Sequence, residues 1–117
     1  MKYPYIKNIA HEEAVTLCGQ VTTQPGQLVS KTLAQNSAVS ITLFAFDKDE
    51  EISTHDSEGD AMVTVLEGSG RFTVDGKIHV LNAGETLVMP AKKPHAVYAE
   101  EPFKMLLVVV FPFNKEA

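Results

Sequence analysis

Along most of this chain, apolar and polar residues either alternate or gather into short apolar, β-branched runs, and a turn follows within a few residues each time. A period of two is the signature of a strand with one buried face, and such runs predict strands at Val29–Leu33, Val39–Phe46, Ala61–Leu66, Arg71–Val74, Lys77–Leu81, Glu85–Met89, Ala96–Ala99 and Phe103–Phe111. Nearly every position of Val39–Phe46 is apolar or threonine, which suits a strand packed on both faces, as in a sheet buried against a partner subunit.

The segments between these runs have turn chemistry. Asp75-Gly76 predicts a two-residue hairpin, because a type I′ turn needs positive φ at both central positions, which Asp tolerates and Gly adopts freely. Gln24-Pro25-Gly26, Gln35-Asn36-Ser37, Asn82-Ala83-Gly84 and Glu100-Glu101-Pro102 read as further turns. Glu67-Gly68-Ser69-Gly70 and Pro90–Pro94 read as loops, and Asp47–Glu51 as a solvated acidic loop without chemistry. Ahead of these, Ile9–Leu17 is expected to form a short helix with Asn8 as its N-cap, and Leu17–Val29 two short strands around the Pro25-Gly26 turn. Many short strands and almost no helical period predict an all-β sandwich or barrel.

Composition narrows this picture. The 117 residues, 44% of them apolar, suit one domain, in which residues 1–38 supply an N-terminal segment and the first strands and residues 39–117 the barrel core. A net charge of −5 without a lysine- or arginine-rich run gives no footprint for nucleic acid or an anionic membrane. The start, MKYPYIKNIAHEE, has no apolar run of signal-peptide length, and Met105–Phe111 is far too short to span a membrane. A lone Cys18 forms no internal disulfide, which points to a reducing compartment and a cytoplasmic location.

Two stretches carry the candidate chemistry, Thr54–Gly68 (THDSEGDAMVTVLEG) and Gly84–His95 (GETLVMPAKKPH). They resemble the paired motifs of the cupin superfamily. That family usually places histidine, any residue, histidine, three or four residues, glutamate, six residues and glycine; here His55 and Gly68 hold the ends, Ser57 replaces the second histidine and Ala61 the glutamate. In the second motif Gly84, Pro90 and His95 keep the spacing, and Ala99 stands where asparagine is frequent. The resemblance implies a jelly-roll β-barrel, and a site in which three histidines and one glutamate hold a transition metal such as Zn, Ni, Mn or Fe. Of these ligands only His55 and His95 carry over.

Alternation across a regular strand puts His55, Ser57, Ala61, Val63 and Val65 on one face and Asp60 on the other, unless a bulge at Glu58-Gly59 shifts the register. Asp60 is thus a conditional third ligand. His79, on the parity of Leu81, is another, although a histidine among apolar strand residues is more often packed than ligating. His11 beside Glu12 and Glu13 reads as a terminal surface cluster. Met62, Met89, Met105, Phe44, Phe46 and Phe72 read as core or dimer filling, whereas Tyr98 carries a hydroxyl able to orient a ligand.

The expected function is a small-molecule-binding cupin with His55, Ser57, Ala61, His95 and Tyr98 at the polar end of an apolar barrel pocket, metal-free or holding a metal weakly. The alternative is a metal-dependent enzyme of dioxygenase or isomerase type, its coordination completed by Asp60, His79 or water. A metal-free sugar-nucleotide epimerase, with a histidine base and Tyr98 as acid, ranks behind both because no basic cluster awaits a phosphate. The expected partners are a small-molecule ligand and a second copy in a symmetric homodimer, because Val39–Phe46 and Met105–Phe111 offer more two-sided apolar strand than one small barrel covers.

Overall fold

In the computed structural model, which describes residues 4–113, the chain is almost entirely β. The remaining residues of the two assigned ranges, 1–3 and 114–117, lie outside the described residues. The strands are β1 (Leu28–Gln35), β2 (Val39–Phe46), β3 (Glu51–His55), β4 (Asp60–Glu67), β5 (Ser69–Val74), β6 (Lys77–Asn82), β7 (Thr86–Met89), β8 (His95–Tyr98) and β9 (Phe103–Val110). Two antiparallel sheets form, one in the order β1-β2-β9-β4-β7 and the other β3-β8-β5-β6. This is the expected all-β jelly roll.

The two sheets face each other across a layer of apolar side chains. From the five-stranded sheet come Phe46, Val63, Val65, Met89, Phe103 and Met105, and from the four-stranded sheet Phe72, Leu81 and Val97. Phe103 stacks on Phe46 at 4.5 Å between ring centroids and meets the Phe72 ring edge-on at 6.0 Å, contacts worth about 1 kcal/mol each beyond the area they bury. The interior around these rings is therefore side-chain-filled. Met89 and Met105 are core residues, as expected, while Met62 sits on the outer face at 43% exposure.

The predicted hairpin forms as anticipated, with φ of 50° at Asp75 and 83° at Gly76. Asn36 closes the preceding turn through its Oδ1, which accepts the N–H groups of Ala38 and Val39. Three expectations fail. Ile9–Leu17 is not helical: Asn8 adopts φ of 63° and donates from Nδ2 to the Thr32 carbonyl at 2.8 Å. The segment instead packs Ile9 and Leu17, with Val21 just beyond it, onto Leu33, Leu43 and Ala45 of the outer face of the five-stranded sheet. That burial outweighs the weak helix propensity of so short a stretch. Before the Pro25-Gly26 turn the chain forms a single 3₁₀ turn at Leu17–Gln20 rather than a strand. Strand β3 was not anticipated, and Ser69-Gly70, read as loop, belongs to β5.

The acidic loop after β2 has a structural task. Asp47 accepts the Gly26 N–H on Oδ2 at 2.6 Å, joining the Pro25-Gly26 turn to the end of β2. That bond, with a second from the Lys48 N–H, holds its carboxyl below the ordinary value of 3.8. A depressed carboxylate pKa contributes stability that is complete above the unfolded value and lost as pH falls through the folded one. Asp47→Ala is therefore expected to unfold more easily than wild type above about pH 5, with the gap closing below about pH 3. Urea unfolding across that range measures it.

Candidate functional site

His55 is the last residue of β3 and His95 the first of β8, and the two are directly paired in the ladder of the four-stranded sheet. Their positions depend on an irregularity. Ile52 pairs with Val97 and His55 with His95, so three steps along β3 match two along β8. In a regular strand Ile52 and His55 would face opposite ways; the extra residue at Ser53-Thr54 turns His55 onto the face of Ile52, Val97 and His95. The imidazoles meet edge to face with centroids 4.3 Å apart. His95 is 4% exposed, and His55 lies open to solvent above it.

Both rings are oriented by the same device. His55 Nδ1 lies 2.9 Å from the Ser53 carbonyl and His95 Nδ1 3.0 Å from the Lys93 carbonyl, each two residues back along the chain. A carbonyl only accepts, so each Nδ1 carries the proton. In the neutral ring Nε2 is then a free lone pair, available to accept a hydrogen bond, take a proton or bind a cation.

The other anticipated residues do not all join them. Ala61 is buried in the barrel wall opposite Met89 and Val109. Ser57 lies in the loop between β3 and β4, where its Oγ donates to the Gly59 carbonyl at 2.7 Å. Asp60 keeps the outward parity and is exposed; its Oδ1 accepts the Ala91 N–H at 2.8 Å, so no bulge brings it inward. His79 pairs with Phe72, two rows of the ladder from the row of His95 and Val74 and two strands across from β8, so it shares their face but stands apart from the histidine pair.

Tyr98 is a correction. It lies three steps along the strand from His95, which in a regular strand puts the two on opposite faces, and Tyr98 stands on the outside of the four-stranded sheet. There its hydroxyl donates to Asp49 Oδ1 at 2.6 Å, which holds its pKa above the ordinary 10, and the Arg71 guanidinium lies 4.7 Å from its ring. Its partners latch the Asp47–Glu50 loop onto the sheet. Lys77 was not singled out from the sequence, yet the Asp75-Gly76 hairpin pairs it with Val74, itself paired with His95, so it occupies the same row. That hairpin was the signal for it.

A family model described as a cupin domain matches residues 42–111. The chain belongs to the cupin family. It is similar to a conserved protein of unknown function from Streptococcus pyogenes, at 46% identity over 96% of this chain and 98% of that one, with a TM-score of 0.93. A cupin superfamily protein from Desulfitobacterium hafniense is 31% identical over 92% of this chain and 98% of its own, with a TM-score of 0.87. A cupin 2 conserved barrel domain protein from Leptotrichia buccalis is 46% identical over 79% of this chain but 45% of its own length, with a TM-score of 0.77. No curated protein matches the chain.

Cupins often bind transition metals, so the donor set of this cupin needs testing against one. Among the described residues no group of three or more histidine, cysteine, aspartate or glutamate side chains is placed to share an ion. Two imidazoles fall short of the three or four protein donors that hold a resident transition metal, and the residues present do not fit one. Ser57→His with Ala61→Glu restores the donor types at the two divergent motif positions. Without metal the double variant is expected to be less stable by roughly 3 kcal/mol, because a carboxylate enters the buried Ala61 position. Nickel or zinc at about a hundred times its Kd should then return close to 3 kcal/mol, and wild type should respond far less. Thermal melts with and without the metals check both.

Proposed function

We propose that this cupin binds a small organic ligand at the barrel mouth, with His55 and His95 as its polar contacts, and holds a metal weakly or not at all. The observation that carries this reading is the matched Nδ1 bonding of two adjoining rings, which leaves an oriented Nε2 acceptor on each. Such a pair suits hydroxyl or ammonium donors on a ligand, and accepts an acidic group once a ring is protonated. The aromatic packing of Phe46, Phe72 and Phe103 favours a ligand that sits at the mouth and does not penetrate the barrel. Against the metal-dependent alternative stand the engagement of Asp60 with Ala91 and the place of His79, two ladder rows and two strands from His95. The free thiol of Cys18 favours a cytoplasmic setting. No helix among the described residues is long and apolar enough to cross a membrane.

A screen of small polyols, amines and carboxylic acids by chemical-shift perturbation tests the reading. Binders are expected to move the His55 and His95 signals and to lose about tenfold in affinity in either His→Ala variant, the scale of one lost hydrogen bond. Binding untouched by both substitutions would place the site elsewhere.

We also propose a symmetric homodimer, formed through the outer face of the five-stranded sheet. The N-terminal segment covers that face over β1 and β2 and reaches Leu106 of β9 and Leu66 of β4, but not the row through Met62 and Val88. Ile41, Val108, Met62 and Val88 run across the face in one ladder row, and Met62, Val88 and Val110 remain 43%, 52% and 57% exposed. At the β1–β2 end the row meets a groove of about 420 Å³ lined by Ile6, Ile9, Leu33 and Ile41. A two-fold axis through such a row buries it against itself. Light scattering after size exclusion is expected to give a dimer for wild type at micromolar concentration and a folded monomer for Met62→Lys with Val88→Lys. A monomeric wild type would refute the assembly.

A further inference from the structure

We propose that Asp60 is a positioning residue, whose carboxylate ties together the two loops at the barrel mouth and thereby sets the orientation of His95. This rests on the ligand-binding reading of the histidine pair, and it concerns a side chain that touches neither ring.

The argument starts from topology. The loop 56–59 carries the chain from β3 in the four-stranded sheet to β4 in the five-stranded one, and Pro90–Pro94 carries it back from β7 to β8. The loops run side by side, because Ala61 pairs with Met89 at one end and His55 with His95 at the other. Between those ends two bonds join them: the Ala91 N–H donates to Asp60 Oδ1, and the Lys92 N–H to the Ser57 carbonyl, each at 2.8 Å.

Each loop has anchors of its own besides the two bonds that join them. Loop 56–59 is anchored on both sides. Ser57 Oγ bonds the Gly59 carbonyl, and Gly59 lies so close to the Val110 carbonyl of β9 that a Cβ there would collide with it. Pro90–Pro94 closes one turn, Lys93 N–H to the Pro90 carbonyl at 3.2 Å, and its Pro94 carbonyl accepts the Asp75 N–H at 2.7 Å, which leaves Ala91 and Lys92 to be held from the other loop. Lys92 sits at φ of 66°, a left-handed conformation unfavourable to a residue with a Cβ, so surrounding bonds must hold it. Asp60 supplies one of them from the start of β4, where its backbone is fixed in the ladder opposite Val110.

What hangs on this loop is the ring of His95. Its Nδ1 donates to the Lys93 carbonyl, a group of the loop itself, so the loop conformation dictates which nitrogen is protonated and where Nε2 points. The chain of contacts runs from the Asp60 carboxylate through Ala91 and Lys92 to the Lys93 carbonyl and the imidazole. Releasing the first contact lets Lys92 relax toward an ordinary φ and withdraws the carbonyl from Nδ1.

Imidazole ¹H–¹⁵N correlation spectra at about pH 8, above the ordinary imidazole range, read the outcome directly. Wild type and Asp60→Asn, which keeps the Oδ1 acceptor, should both show His95 as a single Nδ1–H tautomer. Asp60→Ala should show averaged ¹⁵N shifts from two tautomers at His95, with His79 unchanged. Ala91→Pro removes the donor from the other side of the bond and should give the same His95 change, which covers the case in which Asp60→Ala does not fold. A stability loss in either variant with the His95 spectrum unaltered would reduce Asp60 to a purely structural residue and overturn the proposal. Any binder from the small-molecule panel should bind about tenfold more weakly to Asp60→Ala and normally to Asp60→Asn. A panel without binders would refute the ligand-binding reading, while the tautomer spectra still decide the role of Asp60.

Discussion

The structure depends on burying one face of each sheet against the other. Each strand commits alternate side chains to that layer, and the Phe46, Phe72 and Phe103 rings lock it from both sides. Everything near the mouth is a consequence of how strands leave this layer. The residues that terminate β3 and β7 and begin β4 and β8 inherit a fixed direction from it, and so the loops at that end have little freedom in what they present.

The five-stranded sheet is apolar on its second face as well, and that face is covered in two ways. Near β1 and β2 the extended N-terminal segment lies over Leu43 and Ala45, which leaves both residues at 0% exposure. Toward β4 and β7, Met62 and Val88 remain exposed among the described residues. The two-sided apolar character of Val39–Phe46, read as a sign of a partner, is thus largely satisfied within the chain. The apolar surface left exposed lies instead on β4 and β7, beside Val110 of β9.

Much of the fold was legible because its strands obey the period of two. Val39–Phe46 was bounded correctly to the residue, and the Asp75-Gly76 turn set the register of β5 with β6 and with it the place of Lys77. Strand β3 escaped because Glu51-Ile52-Ser53-Thr54-His55 has one apolar residue and carries a bulge, so neither composition nor alternation marks it. The helix assigned to Ile9–Leu17 failed for the opposite reason: its local signal was readable, but docking on a distant sheet decided its shape. At the site, parity alone kept Asp60 outward, and the same parity, applied to His95 and Tyr98, would have removed Tyr98 from the pocket.

The bulge in β3 also explains why the site contains two imidazoles and stops there. An extra residue at Ser53-Thr54 brings His55 beside His95, yet the chain then leaves the sheet through 56–59, a loop whose hydroxyl and backbone bonds serve its own closure. Ser57 is spent on Gly59 and Lys92, and Asp60 on Ala91, so the polar groups nearest the histidines in sequence are consumed in holding the mouth rigid. A mouth built this way has its two rings oriented by backbone carbonyls in advance, so for the proposed ligand it offers little induced fit, and selectivity would rest on donors that match the preset Nε2 positions.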